Sequence, residues 1–343
     1  MPLKFAIAEV INGRHLTLAQ AETAMNVIMG GEATPAQIGS YLTALRMKGE
    51  TIDEIAGSAR SMRAHVVPVP LTHTDGMVVD TCGTGGDGRH TFNISTTAAF
   101  VVAACGVKVA KHGNRAASSQ CGSADVLLAL GGNLELTPEQ VATCIDQVGI
   151  GFLYAVKHHP AMRHAIGPRR EMGQRTIFNV LGPLTNPAGA THQLMGVYDP
   201  RLTEPLAHVL GVLGSTAATV VHGADGLDEL STTGVNRLSC WRDGRVETFD
   251  LDPLTLGLPR AHLDDLRGGP PEENARLTLD ILSGRDQGPR RDIVLLNAAA
   301  ALTVESHDWA AGLTAARQAL DSGAALRTLN GWLQATNSFH IMI

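Results

Sequence analysis

The sequence has no paired-cysteine motif, and this absence bears on the compartment in which the protein works. Its five cysteines are odd in number and none forms a CxxC pair, so we expect free thiols in a reducing compartment. The longest apolar run, residues 98–106, is too short to span a bilayer. The start shows no basic segment followed by an apolar core, so we expect no secretory leader. These absences predict a cytoplasmic protein without a membrane segment.

The sequence also has no excess of basic residues. Its formal net charge is −6, which argues against a protein that coats nucleic acid or lies on a membrane surface, although it leaves room for a local basic pocket. We find no internal repeat and no low-complexity segment. By contrast, 44% of the 343 residues are hydrophobic, which is ample for a sizeable core and predicts two domains.

The first seventy residues show helical patterns without a convincing strand. Gly30 and Gly49 are natural stops for the first two helices. Three helix starts share the capping-box spacing, in which threonine is followed three residues later by Gln or Glu: Thr17 with Gln20, Thr34 with Gln37, and Thr51 with Glu54. We predict a helical domain over residues 1–70, a connector that includes the polar residues 72–76, and an α/β domain over residues 74–343.

The next stretch predicts a strand, a helix and a second strand. Residues 78–82 and 107–110 are short apolar runs of the kind that form buried strands. Residues 97–105 between them predict a helix with Ser95 or Thr96 as its cap. Such a unit is a right-handed crossover with parallel strands. The polar segments that follow the two strands therefore meet at one edge of the sheet, where open α/β sheets bind ligands.

Both polar segments carry residue types that bind phosphate. The first is the glycine loop, residues 83–88, which offers unhindered backbone N–H groups and is followed by a helix N-terminus at residues 93–96. The second supplies two cations and two hydroxyls: Lys111, Arg115, Ser118 and Ser119. Together they predict a phosphate or pyrophosphate site. For the first loop alone, glycines that serve only as turn formers are the alternative.

The glycine loop fits neither common nucleotide fingerprint. Gly83, Gly85 and Gly88 match GxGxxG, but that fingerprint requires an acidic residue about twenty positions further on. No Asp or Glu lies between Asp87 and Asp125. The P-loop pattern also fails, because no Gly-Lys-Ser/Thr closes the loop.

Further elements complete an α/β pattern. Strands are predicted at residues 151–156, 193–198 and 218–222, and a hairpin at residues 236–250 that turns at Asp243-Gly244. A helix is predicted to begin near residue 123, and further helices are predicted at residues 137–148, 173–181, 202–213, 272–282, 289–304, 309–320 and 324–335.

One later segment holds three histidines and an arginine of interest. His158, His159 and His164 have no cysteine or carboxylate nearby at ligand spacing, so we expect surface or pocket-wall histidines rather than a zinc site. Arg169 has the planar guanidinium that grips a carboxylate through two parallel hydrogen bonds. A solvated arginine is the alternative.

Adjacent carboxylates, Asp228 and Glu229, follow the strand predicted at residues 218–222. Mg²⁺ takes one or two carboxylates together with phosphates and waters, so the pair is a candidate Mg²⁺ site, with a solvated acidic turn as the alternative. The loop is not an EF-hand, because the Asp/Asn spacing and the Glu at position twelve are absent. No Ser-His-Asp or Cys-His constellation is found.

Four motifs, in order, carry a family resemblance: GTGGD, NIST, KHGNRAASSQCGSADVLLALG and HHPAMRHAIGPRREMGQRTIFNVLGPLTNPA. Over nearly its whole length the chain resembles the anthranilate phosphoribosyltransferases. The resemblance implies a fold of the nucleoside phosphorylase and phosphoribosyltransferase type. This is an α/β fold with a small all-helical N-terminal domain, to which a segment near residues 166–190 returns. The large domain has a central, mainly parallel sheet flanked by helices.

The resemblance also implies an activity. The phosphoribosyl group of 5-phosphoribosyl 1-diphosphate passes to the amine of anthranilate, in tryptophan biosynthesis. The implied cofactor is Mg²⁺, as two ions, and the implied assembly is a homodimer through the helical domain. From the net charge and the short apolar runs we expect no nucleic-acid and no membrane partner. No general base is assigned, because an arylamine is neutral at pH 7 and already nucleophilic.

Carried over residue by residue, the resemblance implies three sets of contacts. The metal ligands would be Ser95, Asp228 and Glu229. Anthranilate would be held by Gly83, Asn114 and Arg169. The donor would be held by Gly83, Gly86, Asp87, Thr91, Asn93, Ile94, Ser95, Thr96, Lys111, His112, Gly113, Asn114, Arg115, Ala116, Ala117, Ser118, Ser119 and Ser123.

Two alternative functions stay open. A pyrimidine nucleoside phosphorylase-like enzyme shares the fold and a glycine-rich phosphate loop, but a nucleobase offers no carboxylate for Arg169. A non-catalytic relative that binds nucleic acid would need an extended basic face. The net charge of −6 and the intact pair Asp228 and Glu229 argue against that relative.

Overall fold

A computed structural model describes residues 3–72, 76–116 and 119–339 of the chain. Two of the predicted donor-site residues, Ala117 and Ser118, lie outside these ranges, as do residues 73–75 of the predicted connector. Across the described ranges, no helix is both long and apolar enough to cross a membrane.

The described residues form fifteen α-helices and seven strands. The helices are α1 (Leu3–Ile11), α2 (Leu18–Met29), α3 (Pro35–Lys48), α4 (Ile52–Ala64), α5 (Ile94–Ala104), α6 (Ser123–Ala129), α7 (Pro138–Val148), α8 (Ala155–His158), α9 (Arg163–Met172), α10 (Phe178–Leu181), α11 (Thr203–Val212), α12 (Pro271–Leu282), α13 (Pro289–Leu302), α14 (Trp309–Asp321) and α15 (Ala324–Ser338). The strands are β1 (Val78–Asp80), β2 (Lys108–Gly113), β3 (Ile150–Tyr154), β4 (His192–Gly196), β5 (Ala217–His222), β6 (Asn236–Arg242) and β7 (Arg245–Leu251).

The strands form one sheet in the order β3-β2-β1-β4-β5-β6-β7. Strands β1 to β5 are parallel, and β6 and β7 form the antiparallel hairpin predicted from Asp243-Gly244. The strand order reverses between β1 and β4, since the chain proceeds from β1 toward one edge and from β4 toward the other. Open α/β sheets bind ligands at such a switch point, outside the carboxyl ends of the strands.

Helices cover both faces of the sheet. Leu194 and Val221 belong to one hydrophobic cluster, which includes residues of α5, α13 and α15. Their neighbours Met195 and Val220 belong to the other cluster, which includes residues of α11 and the N-terminal helices. Adjacent side chains of a strand point to opposite faces, so this division places one layer on each face. The predicted fold class, a helical N-terminal domain plus a large α/β domain, is confirmed.

The N-terminal helices begin where local capping chemistry predicts. All three capping boxes are present, with each threonine hydroxyl accepting the backbone N–H three residues on and the Gln or Glu side chain accepting the threonine N–H. Gly30 and Gly49 cap the ends of α2 and α3. Met25, Ile28, Leu42 and Leu45 are fully buried between the helices. We call α1 to α4 the helical bundle.

Predicted boundaries of all three elements in the central unit are wrong. Strand β1 ends at Asp80 rather than at residue 82, and β2 begins at Lys108 rather than at residue 107. Helix α5 begins at Ile94 rather than three residues later, and its N-cap is Asn93 instead of Ser95 or Thr96. The residue that satisfies the first turn of α5 is distant in the sequence. The Glu229 carboxylate accepts the Ser95 N–H at 3.1 Å in place of a local side-chain cap. Strand β2 continues three residues beyond its predicted end, because those residues pair with the end of β3.

The predicted helix over residues 173–181 is also wrong. Helix α9 already ends at Met172, and Gly173 follows with a φ of 57°, the left-handed conformation that stops a helix. Only Phe178–Leu181 is helical beyond it. Residues from Ala165 to Leu184 contribute buried side chains to the same cluster as the helical bundle, and Arg63 of α4 donates a hydrogen bond to the Leu184 carbonyl at 2.7 Å.

Glu54 is the polar centre of the helical bundle. Its carboxylate is fully buried and accepts hydrogen bonds from the backbone N–H groups of Leu16 (3.0 Å) and Thr51 (2.9 Å). It also forms an ion pair with Lys48 at 2.8 Å, and the Lys48 side chain is only 6% exposed. This one side chain therefore ties the loop before α2 to the loop before α4.

We expect Glu54→Ala to lower the free energy of unfolding by about 3–5 kcal/mol, the usual cost when a buried ion pair loses one partner. Urea denaturation followed by circular dichroism measures the change. The matched control is Glu9→Ala, which breaks the solvent-exposed pair with Arg14 and should change stability little. Equal losses for the two variants would contradict this role.

Candidate active site

Two loops meet at the switch point because two glycines leave room for them. The glycine loop follows β1, and the loop with Asp228 and Glu229 follows β5. A Cβ atom on Gly196, at the end of β4, would lie 1.6 Å from the Asp228 carbonyl oxygen. A Cβ atom on Gly83 would lie 2.7 Å from Asp228 Oδ2. Only glycine permits this approach at position 196, and a side chain at position 83 would displace the Asp228 carboxylate.

Backbone N–H groups hold the acidic side chains in place. Gly85 donates its N–H to Asp228 Oδ2 at 2.6 Å, and Ser95 in the first turn of α5 donates its N–H to Glu229 Oε1 at 3.1 Å. The Asp228 N–H in turn donates to Asp87 Oδ2 at 3.4 Å. The glycine loop, the N-terminus of α5 and the loop after β5 are thus joined through carboxylates, as the sequence predicts for a site at this edge.

Lys111 is the cation of this cluster. The extension of β2 brings it opposite the end of β1, where its side chain is buried. The Nζ atom donates hydrogen bonds to the carbonyl oxygen and hydroxyl of Thr81 at 3.1 and 3.2 Å, and lies 3.5 Å from the Ser95 hydroxyl. A buried ammonium that lies among carboxylates compensates part of their charge.

The carboxylates nevertheless remain short of positive charge. Burial raises the pKa of Asp228 to about 8, and the neighbouring charge of Glu229 adds to the effect. Burial raises the pKa of Glu229 to about 7, although the Lys111 charge and the hydrogen bonds from Ser95 oppose this rise. Both residues retain some exposure to solvent. Two neighbouring carboxylates whose negative charge is only partly compensated would be stabilised by a divalent cation.

The spacing of the potential metal ligands suits Mg²⁺ better than a metal that is held by protein ligands alone. Among the described residues, one group of three potential ligands has its ligand atoms within 4.8 Å of one another: Asp80, Cys82 and His112. Asp87, Asp228 and Glu229 are not gathered as tightly in the described ranges. Mg²⁺ uses one or two carboxylates and completes its shell with water and substrate phosphate, so the looser spacing of these carboxylates suits it.

Hydrogen bonds hold both ends of the second loop, which follows β2. Asp125 Oδ2 accepts the N–H groups of Ala116 and Gly122 at 2.8 and 2.9 Å. Ser123 begins α6, near the N-terminus of a helix as predicted, and its Oγ accepts the Asn114 N–H at 3.2 Å. The exposed Arg115 donates its Nε–H to the Tyr154 hydroxyl at 3.1 Å. The Arg115 and Asn114 side chains are consequently presented at the same edge as the glycine loop.

Arg169 lies on α9, with its guanidinium carbon 4.9 Å from the centroid of the Phe178 ring. Burial lowers its pKa, but an arginine stays charged in proteins. Within the described part of the chain, neither a hydrogen bond nor an ion pair engages the guanidinium. The arginine is thus available to a ligand carboxylate.

Several residues predicted to bind the donor are occupied elsewhere. The His112 side chain is buried, with Nδ1 3.2 Å from the Gly182 carbonyl and Nε2 3.1 Å from His159 Nε2. Thr91 forms an isolated bridge with Arg267. Ile94 and Thr96 are buried in the first turn of α5, so these two residues offer a ligand only their backbone. A donor contact from these positions therefore remains a prediction.

The remaining predicted residues lie in the two loops or next to them. Asn93 donates a hydrogen bond to the Cys121 carbonyl at 3.3 Å and accepts one from Asn274 at 2.9 Å. The Ser119 hydroxyl is exposed and lies 3.5 Å from the Cys121 carbonyl oxygen. Gly113 packs against Ser123, whose hydroxyl would lie 2.2 Å from a Cβ atom added there. Gly86 is exposed in the glycine loop.

His158 is a core residue rather than the expected surface or pocket-wall histidine, since its side chain is buried. His158 Nδ1 lies 3.0 Å from the Val67 carbonyl oxygen. Burial, together with the charge of His158, lowers the pKa of His159 to about 4, so its imidazole is neutral at pH 7.

A buried pair of hydrogen-bonded residues next to the site, Asp80 and Asn186, was not predicted from the sequence. Asp80 Oδ1 accepts the His112 N–H at 3.1 Å, and Oδ2 accepts Asn186 Nδ2–H at 2.7 Å. Asn186 also donates to the Ala110 carbonyl at 2.8 Å. Burial raises the pKa of Asp80 to about 6. The one signal in the sequence is an aspartate inside an otherwise apolar run; nothing local identifies Asn186 as its partner.

Comparison with known proteins identifies the class. Residues 4–66 match the model of a glycosyl transferase family, helical bundle domain, and residues 75–326 match the model of a glycosyl transferase family, a/b domain. The chain therefore belongs to this glycosyl transferase family, in which a helical bundle accompanies an α/β domain.

Individual relatives narrow the family. The chain is 55% identical over 338 residues to the anthranilate phosphoribosyltransferase of Moorella thermoacetica, covering 97% of this chain and 99% of the relative. It is 58% identical over 337 residues to that of Symbiobacterium thermophilum, covering 98% of both chains. Within the glycosyl transferases, the chain belongs to the anthranilate phosphoribosyltransferase family.

Solved structures agree with this placement. The anthranilate phosphoribosyltransferase of Thermus thermophilus superposes with a TM-score of 0.91 at 44% identity, over 97% of this chain and 99% of that one. The Saccharomyces cerevisiae enzyme in complex with PRPP and Mg gives a TM-score of 0.89 at 30% identity, over 98% of each chain.

We expect the double substitution Asp228→Asn and Glu229→Gln to abolish tight binding of Mn²⁺, used as a spectroscopic substitute for Mg²⁺, because it removes the carboxylate charge that attracts the cation. Electron paramagnetic resonance of free Mn²⁺ measures the binding in the presence of 5-phosphoribosyl 1-diphosphate. Transferase turnover should fall by orders of magnitude. Unaltered Mn²⁺ binding, or full wild-type turnover in excess EDTA, would contradict the metal assignment.

Proposed function

We propose that this chain transfers the phosphoribosyl group of 5-phosphoribosyl 1-diphosphate to the amine of anthranilate. The products are N-(5-phosphoribosyl)anthranilate and diphosphate, and the pathway is tryptophan biosynthesis. The observation that carries the proposal is the meeting of the glycine loop, the N-terminus of α5 and the pair Asp228 and Glu229 at the switch point of the sheet. The names of the relatives support the same activity.

The donor side of the site must neutralise a leaving diphosphate. The bond to the anomeric carbon breaks as that carbon becomes cationic, so negative charge accumulates on the leaving group. Ser95, Asp228 and Glu229 would hold Mg²⁺, as two ions, and bound Mg²⁺ would supply charge neutralisation. Glycine-loop amides, the α5 N-terminus and Lys111 would bind phosphate oxygens.

The acceptor side must position an amine that already has its lone pair. Arg169 would bind the anthranilate carboxylate through two parallel hydrogen bonds, and Gly83 and Asn114 would contact the same molecule. No side chain need remove a proton before attack, since an arylamine is neutral at pH 7. Positioning is then the main contribution of these residues.

We also propose that the chain forms a homodimer through the helical bundle and works in the cytoplasm. Three large apolar side chains on the bundle support the dimer, since Phe5, Ile11 and Met47 are 45%, 66% and 83% exposed. The division into residues 1–70 and 74–343 is supported by the two family models, which meet between residues 66 and 75.

The direct test is a fluorescence assay that follows the loss of anthranilate in the presence of 5-phosphoribosyl 1-diphosphate and Mg²⁺. Consumption of anthranilate that requires both additions is the expected result. Absence of consumption by the folded, metal-supplied protein would refute the proposed function.

Lys111→Ala should weaken binding of 5-phosphoribosyl 1-diphosphate by about 1.5–3 kcal/mol, the range for hydrogen bonds to charged groups. Calorimetry in the presence of Mg²⁺ measures the change. Lys157→Ala is the control, because that lysine pairs with Glu135 at the surface. An unchanged dissociation constant would show that Lys111 supports the carboxylates without contacting the donor.

Arg169→Ala should strongly raise the KM for anthranilate and leave the KM for the donor nearly unchanged, because Arg169 belongs to a segment separate from the phosphate loops. Arg169→Lys should recover only part of the loss, since an ammonium lacks the planar grip of a guanidinium. Steady-state kinetics with each substrate varied in turn measures both constants.

The control for Arg169 is its neighbour Arg170→Ala, an exposed position. Aniline, which lacks the carboxylate, should be a poor acceptor for wild type and for Arg169→Ala alike. Harm to donor binding with anthranilate binding spared would move the acceptor site to other residues.

A further inference from the structure

Arg175 makes contacts at the site that the proposed mechanism does not use. It lies between α9 and α10, on the exposed surface. Its Nη2 group donates a hydrogen bond to the carbonyl oxygen of Gly86 in the glycine loop. Its guanidinium carbon lies 4.1 Å from the centroid of the Tyr198 ring, which is the stacked arrangement of a cation–π interaction.

Tyr198 is itself fixed to the same loop. Its backbone N–H donates to the Thr84 hydroxyl at 3.2 Å, and the Thr84 N–H donates to the Gly196 carbonyl at 2.9 Å. No carboxylate within the described ranges pairs with the Arg175 guanidinium. The side chain is therefore held over the glycine loop by an aromatic ring and a backbone carbonyl.

The other end of Arg175 is attached to the helical bundle. Arg46 of α3 donates its Nη1–H to the Arg175 carbonyl oxygen at 2.8 Å. Contacts therefore run from α3 through Arg175 to Gly86, and from the adjacent Gly85 N–H to Asp228 Oδ2 at 2.6 Å. This path connects the bundle with the acidic pair across elements far apart in the sequence.

We propose that Arg175 is a positioning residue that ties the glycine loop to the helical bundle and holds the loop amides in the conformation that receives the donor phosphate. Its role as a positioning residue for the donor rests on the proposed function of the site. Glycine-rich backbone loses more freedom than any other on becoming ordered, so a fixed carbonyl in this loop reduces the ordering that the donor must supply. The bundle thereby contributes to donor binding without touching the donor.

The test measures amide hydrogen exchange of residues 84–88 by mass spectrometry in the full chain, without donor or Mg²⁺. Arg175→Ala should speed exchange by about tenfold, the change expected when a hydrogen bond from a charged group is lost. Arg46→Ala should change exchange in the same direction, because it releases the bundle end of the path. Arg175→Lys should restore only part of the protection, since an ammonium does not stack as a guanidinium does.

Arg170→Ala is the matched control, since it removes an exposed arginine five residues away on α9 and should leave loop exchange at the wild-type rate. In calorimetry with Mg²⁺, Arg175→Ala should raise the donor dissociation constant by about tenfold, with Arg46→Ala following in the same direction. Unchanged loop exchange in Arg175→Ala would overturn the proposal. A second pair of results would also overturn it: weaker donor binding in Arg175→Ala together with no effect of Arg46→Ala on exchange or on affinity. Arg175 would then act only through a direct contact with the donor phosphate.

Failure of the proposed function would look different. Wild-type protein that does not consume anthranilate would refute the transferase activity, while the exchange of residues 84–88 in the unliganded chain would still report whether Arg175 holds the loop.

Discussion

The whole site depends on one backbone contact, between the end of β4 and the loop after β5. The Asp228 carbonyl lies so close to Gly196 that no side chain fits between them. This approach brings Asp228 within reach of the Gly85 N–H and Glu229 within reach of the Ser95 N–H. The Glu229 carboxylate then accepts an N–H in the first turn of α5, where Asn93 provides no side-chain cap, and the Asp228 carboxylate accepts an N–H of the glycine loop. The close packing at Gly83 and Gly196 therefore determines where the carboxylates of Asp228 and Glu229 lie.

The helical bundle is joined to the sheet by a common core rather than by a linker alone. Met195 of β4 and Val220 of β5 belong to the same hydrophobic cluster as Met25 and Leu42 of the bundle. Polar contacts supplement it, since Arg63 of α4 reaches the Leu184 and Leu213 carbonyls at 2.7 and 2.8 Å. Both apolar and polar contacts cross the boundary between the bundle and the α/β domain. Movement of the bundle would therefore displace the strands that carry the site.

Local signals predicted local structure well. The capping boxes at Thr17, Thr34 and Thr51 need only residues three positions apart, and each is present. The predicted start of α5 was wrong because the Ser95 N–H in its first turn donates to the Glu229 carboxylate, 134 residues away in the sequence. The end of β2 was wrong because pairing with β3 sets it. The phosphate loops and the acidic pair could be predicted, since parallel strands bring their carboxyl ends together; Asp80, Asn186 and Arg175 could not, because their partners come from distant segments.

The amides that hold Asp228 and Glu229 belong to the glycine loop and the helix N-terminus that are proposed to bind the donor phosphate. The Gly85 N–H donates to an Asp228 carboxylate oxygen, and the Ser95 N–H donates to a Glu229 carboxylate oxygen. A cation that draws a carboxylate away frees an amide for an anion, and an anion that takes the amide frees a carboxylate for a cation. The two exchanges are thermodynamically linked, and linkage is reciprocal. Each ion should therefore strengthen the binding of the other by the same factor, so that the site behaves as a receptor for the ion pair.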